Sequence, residues 1–173
     1  MEILIEEYKI DRSVRALAHI ITEEHKNSGN MLPPVMICVL KGSFMFFTDL
    51  VKSMGVDCEI DFIRAKSYED KVSITLDLEI DLKGKRVYIV DNMVDTGQTM
   101  IEVLCRVNDL MPCETKIVTL VHRKDNEFPV DYFCFEIKDE CVVGYGFDDI
   151  GLKRNYRNIY KNKYVSKYSI SKA

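Results

Sequence analysis

The chain predicts an α/β domain with a mainly parallel, twisted sheet flanked by helices. Three observations point there. Short apolar runs without alternation recur at residues 35–40, 87–90 and 116–121, as expected of strands buried on both faces. The first two lead through a polar turn into apolar residues at helical spacing. Acids, amides and hydroxyls gather where those strands end, the edge at which open α/β sheets bind ligands. Strands alternating with helices imply parallel neighbours joined by right-handed crossovers.

The elements follow in order. Residues 1–10 alternate weakly and are expected to include a short strand. Asp11 is placed to cap a helix whose face carries Val14, Leu17, Ala18 and Ile21, ended by Lys26-Asn27-Ser28-Gly29. His19 and His25 lie off that face or at its edge and read as surface residues. Pro33-Pro34 introduces the strand at 35–40, followed by Lys41-Gly42-Ser43. A helix then turns Phe44, Phe47, Leu50, Val51 and Met54 inward and closes at Gly55. Lys41 stands at a strand's carboxyl end, either as a solvated turn lysine or as a cation facing a diphosphate.

Cys58, Ile60 and Phe62 alternate with Asp57, Glu59 and Asp61, a strand with one wetter face. Val72, Ile74, Leu76, Leu78 and Ile80 alternate with Ser73, Thr75, Asp77 and Glu79. The connection between these strands is Lys66-Ser67-Tyr68-Glu69-Asp70-Lys71. A turn at 81–85 enters the central strand, and the helix over 99–111 follows it. After the strand at 116–121 come a polar loop, His122 to Glu127, and short apolar runs at 132–137 and 141–145. The basic tail from Lys153 spaces Tyr156, Tyr160, Tyr164 and Tyr168 four apart, which suits a helix face or an edge strand with a fraying end.

At 173 residues the chain is expected to form a single domain, 1–173, with a substantial core. Lys plus Arg number 24 and Asp plus Glu 28, a net charge of −4. That balance argues against a nucleic-acid surface. The six cysteines show no CxxC pair and sit mostly in apolar runs, which suits buried free thiols in a reducing compartment. The acidic start does not resemble a signal peptide, and no apolar run reaches membrane-spanning length. A cytoplasmic protein with no membrane partner is expected.

Asp95-Thr96-Gly97-Gln98-Thr99 is where the helix over 99–111 begins. The first amides of a helix lack partners within it, and the dipole favours an anion there. Gly97 lets an oxygen approach the backbone, and Thr96 and Thr99 add hydroxyls. A plain Asp or Thr cap is the simpler reading. Asp91 and Asp95, four apart, supply more carboxylate than a cap requires.

The stretch from Val87 to Thr99 resembles the phosphoribosyl-pyrophosphate motif of the type I phosphoribosyltransferases: an apolar strand, two acids, two apolar residues, then Asp-Thr-Gly-x-Thr. Leu40 to Leu50, Asp61 to Tyr68 and Val142-Val143-Gly144-Tyr145-Gly146 narrow the resemblance to hypoxanthine-guanine phosphoribosyltransferase. The matches run in family order from about Leu40 to Arg157. The resemblance implies the type I phosphoribosyltransferase fold, with a small hood built from both chain ends.

It also implies a reaction, in which a purine base and phosphoribosyl pyrophosphate give a nucleoside monophosphate and pyrophosphate. By the same resemblance Asp95 is the general base near purine N7. Asp95, Thr96, Gly97, Gln98 and Thr99 hold the 5′-phosphate, and Asp91 and Asn92 the ribose hydroxyls. Lys41, Gly42 and Arg157 match the pyrophosphate contacts, in a loop that carries a non-proline cis peptide after its lysine. His122, Cys141, Val142 and Asp148 fall on the base side, and Ser67 and Tyr68 match a pair on a mobile lid. The implied cofactor is Mg²⁺, met by Asp91 and, through water, by Asp148. The implied assembly is a homodimer or homotetramer.

Several positions depart from the family pattern. Asn92 replaces a usual acid, His122 a lysine that donates to the purine 6-oxo group, and Cys141 a stacking aromatic. The lid connection is several residues short, and Arg123 or Lys124 can substitute for His122 if the loop alignment slips. The phosphate half matches while the base half is altered. Three readings stay open: a purine salvage enzyme, a transferase for another heterocycle, and a non-catalytic nucleotide-binding regulator. Asp95 favours the first two, since binding alone needs no base. Asn92 and the short lid favour the third.

Overall fold

The computed structural model describes residues 1–68 and 71–162. Tyr164 and Tyr168 lie outside the described residues, as do Glu69, Asp70 and the side chains of Ser67, Tyr68 and Lys71. The elements run β1 (Glu2–Ile5), α1 (Glu7–Asn27), β2 (Val35–Val39), α2 (Phe44–Lys52), β3 (Glu59–Tyr68), β4 (Lys71–Leu76) and β5 (Arg86–Asp91). They continue through α3 (Gln98–Asp109), β6 (Glu114–Arg123), β7 (Tyr132–Ile137) and β8 (Val142–Val143) to β9 (Ile159–Lys161).

Among the described residues the main sheet has six strands in the order β4-β3-β2-β5-β6-β7. All neighbours in it are parallel except β3 and β4. A second sheet, β1-β9-β8, is antiparallel and joins the two chain ends as a hood. The expected α/β architecture and hood are both present.

The continuous apolar runs are explained by burial on two sides. In β2, Met36 and Cys38 enter the cluster shared with α1 and α2, while Val35, Ile37 and Val39 enter the cluster shared with α3. Successive strand residues point to opposite faces, so each β2 residue needs an apolar side chain. Tyr88 and Val90 of β5 face α1 and α2, and Val87 and Ile89 face α3. The sheet is therefore covered on both sides, and its polar groups emerge at the strand ends. Among the described residues no helix is long and apolar enough to cross a membrane.

Several local expectations are corrected. Helix α1 begins at Glu7, and Asp11 pairs with Arg15 one turn on, at 2.9 Å, instead of capping. The cause is Ile10, which is fully buried and extends the apolar stripe one turn backward. His25 is buried on the same stripe, and burial lowers its pKa. In α2, Phe46 is inward and Phe44 is exposed.

Strand β3 reverses its expected faces. Ile60 is 45 % exposed, whereas Asp61 is only 8 % exposed. The Asp61 carboxylate accepts the backbone N–H groups of Phe62, Glu79 and Ile80 at 2.7, 2.8 and 3.1 Å. It braces the chain leaving β4, which satisfies a buried charge. Strand β4 ends at Leu76, and Asp77 turns to Arg106 at 2.7 Å. The alternation out to Ile80 therefore does not continue as strand. β3 and β4 pair as a hairpin where a connecting loop was expected. All six cysteines are free, but Cys105, Cys113 and Cys141 are exposed.

Candidate active site

The strands β2, β5 and β6 are neighbours in the sheet, so the segments following them converge at one edge. The chain order reverses between β2 and β5, where open sheets form a crevice. The segment after β5 supplies the centre. Asp91 ends the strand and Gly97 forms the N-cap of α3 in a left-handed conformation, φ 83°. Such a φ favours a residue without Cβ.

No side chain caps this helix. Among the described residues the backbone N–H groups of Thr96, Gly97, Gln98 and Thr99 make no hydrogen bond. A cavity of about 220 Å³ opens here, lined by Gly42, Asp91, Asn92, Asp95, Thr96 and Thr99. Unpaired amides at a helix start are an anion site.

The two carboxylates of this segment differ. Asp95 is 75 % exposed, with Arg123 Nε at 3.8 Å from its Oδ1. Asp91 is half-buried at the strand end on the cavity wall, and desolvation pushes its carboxyl up to about 7. The Asn92 N–H, which it accepts at 2.7 Å, offsets that only in part. A hard cation beside Asp91 would stabilise its charged form.

The loop after β2 adds Lys41 and Gly42. Its cis peptide is the Leu40–Lys41 bond, one bond earlier than expected. Gly42 packs so closely on Asn92 that an added Cβ would lie 2.7 Å from Nδ2. The hood meets the same loop, since a Cβ on Gly146 would fall 1.9 Å from the Gly42 carbonyl oxygen. Neither glycine leaves room for a side chain, so three segments distant in sequence interlock around the cavity.

A second cavity, about 250 Å³, is lined by Met93, Arg123, Cys141, Val142, Phe147 and Asp148, and so brings together three of the residues expected on the base side, Cys141, Val142 and Asp148. His122 does not turn toward Asp95. Its ring stacks on Phe133 of β7, with centroids 5.1 Å apart. His122 and Arg123 are successive residues of β6, so they point to opposite faces. Arg123, and not His122, lines the second cavity together with Val142 and Phe147. Arg123 Nη1 donates to Asp139 at 2.6 Å, while its buried Nε has no hydrogen-bond partner. The sequence already offered Arg123, next to His122 in the chain, as its alternative.

Arg157 is also displaced from its expected place. It pairs with Glu7 at 3.1 Å and its side chain is 80 % exposed. Arg154 stands instead beside Asp148, with Nη2 at 2.7 Å from Oδ1, and donates from Nη1 to the Gly146 carbonyl at 2.5 Å. Asp148 further accepts the Gly151 N–H at 2.6 Å. Ser67 and Tyr68 lie at the tip of the β3–β4 hairpin, with side chains outside the described residues.

The comparisons agree with this geometry. The model of the phosphoribosyl transferase domain family matches residues 5–150. The hypoxanthine phosphoribosyltransferase of Salmonella typhimurium is 36 % identical over 175 residues, covering 95 % of this chain and 96 % of that protein. The hypoxanthine-guanine-xanthine phosphoribosyltransferase of Tritrichomonas foetus is 32 % identical over 166 residues, 91 % of this chain and 87 % of that one. A crystal structure of a hypoxanthine-guanine phosphoribosyltransferase from Bacillus anthracis superposes with a TM-score of 0.84 at 32 % identity, covering 93 % of this chain and 97 % of that chain. By the family match over most of its length and by these relatives, the chain belongs to the phosphoribosyltransferase family, on its hypoxanthine-guanine branch.

Proposed function

We propose that this protein is a purine salvage enzyme, joining hypoxanthine or guanine to phosphoribosyl pyrophosphate to give the nucleoside monophosphate and pyrophosphate. The observation that carries this reading is the run of unpaired N–H groups from Thr96 to Thr99 beside the exposed carboxylate of Asp95.

In the reaction, purine N9 attacks C1′ of the ribose, the bond from C1′ to pyrophosphate breaks, and the N7 proton leaves the base. The anion turn holds the 5′-phosphate and fixes C1′. Asp91 and Asn92 take the ribose hydroxyls as acceptors. Asp95 accepts the N7 proton; its exposure lets the base reach it. Arg123, rather than His122, is the cation on the base side, beside Asp95 and the walls formed by Met93, Val142 and Phe147. Lys41, Gly42 and Arg154 face the departing diphosphate.

The residues present fit Mg²⁺, which needs few protein ligands when phosphate oxygens are available. The half-buried Asp91 carboxyl would hold it, and Asp148, already engaged by Arg154 and Gly151, would approach through water. The ion would neutralise charge on the leaving diphosphate. Two copies would pair through the apolar side chains exposed on α2 and β3, Phe44, Ile60 and Phe62. Sedimentation checks this: Ile60→Lys is expected to yield monomers.

The test of function is turnover of hypoxanthine, guanine, xanthine and adenine with phosphoribosyl pyrophosphate and Mg²⁺. Turnover of at least one 6-oxopurine is expected. Tight binding of nucleoside monophosphate with no turnover of any base would reject the enzyme reading. It would favour the regulator, a reading that the uncharged Asn92 supports.

A further inference from the structure

The turn after β5 does not hold its shape alone. Asn126, in the loop between β6 and β7, donates from Nδ2 to the Val94 carbonyl at 2.7 Å and to the Asp95 carbonyl at 2.8 Å. Its Oδ1 accepts the Phe128 N–H at 2.8 Å, and its own N–H donates to the Arg123 carbonyl at 3.0 Å. Carbonyl oxygens only accept, so the chemistry requires Nδ2 to face them. Both side-chain N–H groups and the side-chain oxygen are thus engaged. Two residues on, the Phe128 ring lies against Gly97, where an added Cβ would fall 2.2 Å from a ring carbon.

We propose that Asn126 and Phe128 are positioning residues that clamp the anion turn from outside and aim its amides inward. The proposal rests on the function given above. In a trans peptide the C=O and the following N–H point in opposite directions. Holding the Asp95 carbonyl toward Asn126 therefore turns the Thr96 N–H away from Asn126. Holding the Val94 carbonyl does the same for the Asp95 N–H. Phe128 seats Gly97 against the loop, so the left-handed residue cannot swing the helix start out of line. The turn lacks a side-chain cap of its own, and the clamp supplies the missing restraint from another segment. Arg123 sits at the root of the same loop beside Asp95, so the clamp also ties the phosphate half of the site to the base half.

The decisive variant is Asn126→Asp, which keeps the shape but sets a carboxylate oxygen against two carbonyls. The KM for phosphoribosyl pyrophosphate and the Kd for ribose 5-phosphate are expected to rise about tenfold or more, while the KM for the base changes by less than about threefold. A purely structural role would lower Tm and leave those constants unsplit. Values within about twofold of wild type, or an equal rise in both KM values, overturn the clamp. If Asn126→Asp does not fold, Phe128 decides. Phe128→Ala is expected to reproduce the rise and Phe128→Leu to restore most of it, because leucine still covers Gly97. Wild-type constants for Phe128→Ala, or no recovery in Phe128→Leu, reject the proposal. Failure of the parent reading looks different, since wild-type protein would then turn over no purine at all.

Discussion

The two halves of the site are built by different means. The proposed phosphate half is almost one continuous segment, residues 91–99, a strand end leading into an uncapped helix start. The base half is assembled from Met93, Arg123, and Cys141 to Asp148, brought together only by sheet order and by the hood. A backbone site tolerates sequence change around it provided the turn keeps its glycine. A side-chain site changes its chemistry whenever one contributor changes, and the departures at His122 and Cys141 fall there.

This contrast can be broken at its junction, Asp95, which serves both halves. Asp95→Asn is expected to lower turnover by about 10²–10⁴-fold while nucleoside monophosphate binding is largely kept, measured by steady-state kinetics and calorimetry. Unchanged turnover would remove Asp95 from the role of base.

On the base side, Arg123→Ala is expected to raise the KM for the purine about tenfold or more, as for loss of a charged hydrogen bond. His122→Ala is expected to stay within about threefold, because that ring stacks on Phe133. The reverse ranking would restore His122 as the base contact.

On the phosphate side, Arg154→Ala is expected to raise the KM for phosphoribosyl pyrophosphate about fivefold to tenfold, with Arg157→Ala within about twofold, since exposed ion pairs contribute little. An effect from Arg157 alone would undo the exchange of arginines.

A separate effect, on stability and not on turnover, concerns Asp91, whose carboxyl is raised to about 7 by burial. The native state holds that proton more tightly than the unfolded chain does. Its contribution to stability is therefore complete below the ordinary carboxylate range and is lost as pH rises through about 7. Ligand-free wild type is expected to lose Tm relative to Asp91→Asn from about pH 4 to about pH 8, and Mg²⁺ with phosphoribosyl pyrophosphate to reverse the trend. Parallel curves for the two proteins would show that Asp91 is not desolvated as described.

Much was legible where neighbouring residues decide the outcome. The run Val87-Tyr88-Ile89-Val90 named a strand buried on both faces, and β5 is that strand. The turn Asp95 to Thr99 named an anion site, and its amides are unpaired. What could not be read were features set by partners far away in the chain. Asp61 is buried because amides of Glu79 and Ile80 meet it. His25 is buried because it ends the α1 stripe that runs through Leu17, Ala18 and Ile21, near Arg86 of β5. Nothing near Asn126 shows that it grips Val94 and Asp95, thirty-two and thirty-one residues earlier.

The sequence by itself determined the alternation of strands and helices, the two-sided core and the phosphate-binding turn. Each follows from periodicity and backbone chemistry within a dozen or so residues. The tertiary structure alone decided which arginine meets Asp148, that Arg123 lies beside Asp95 while His122 stacks on Phe133, and what holds the turn in shape. Those depend on how the hood and the β6–β7 loop pack against the sheet edge, which no local pattern carries.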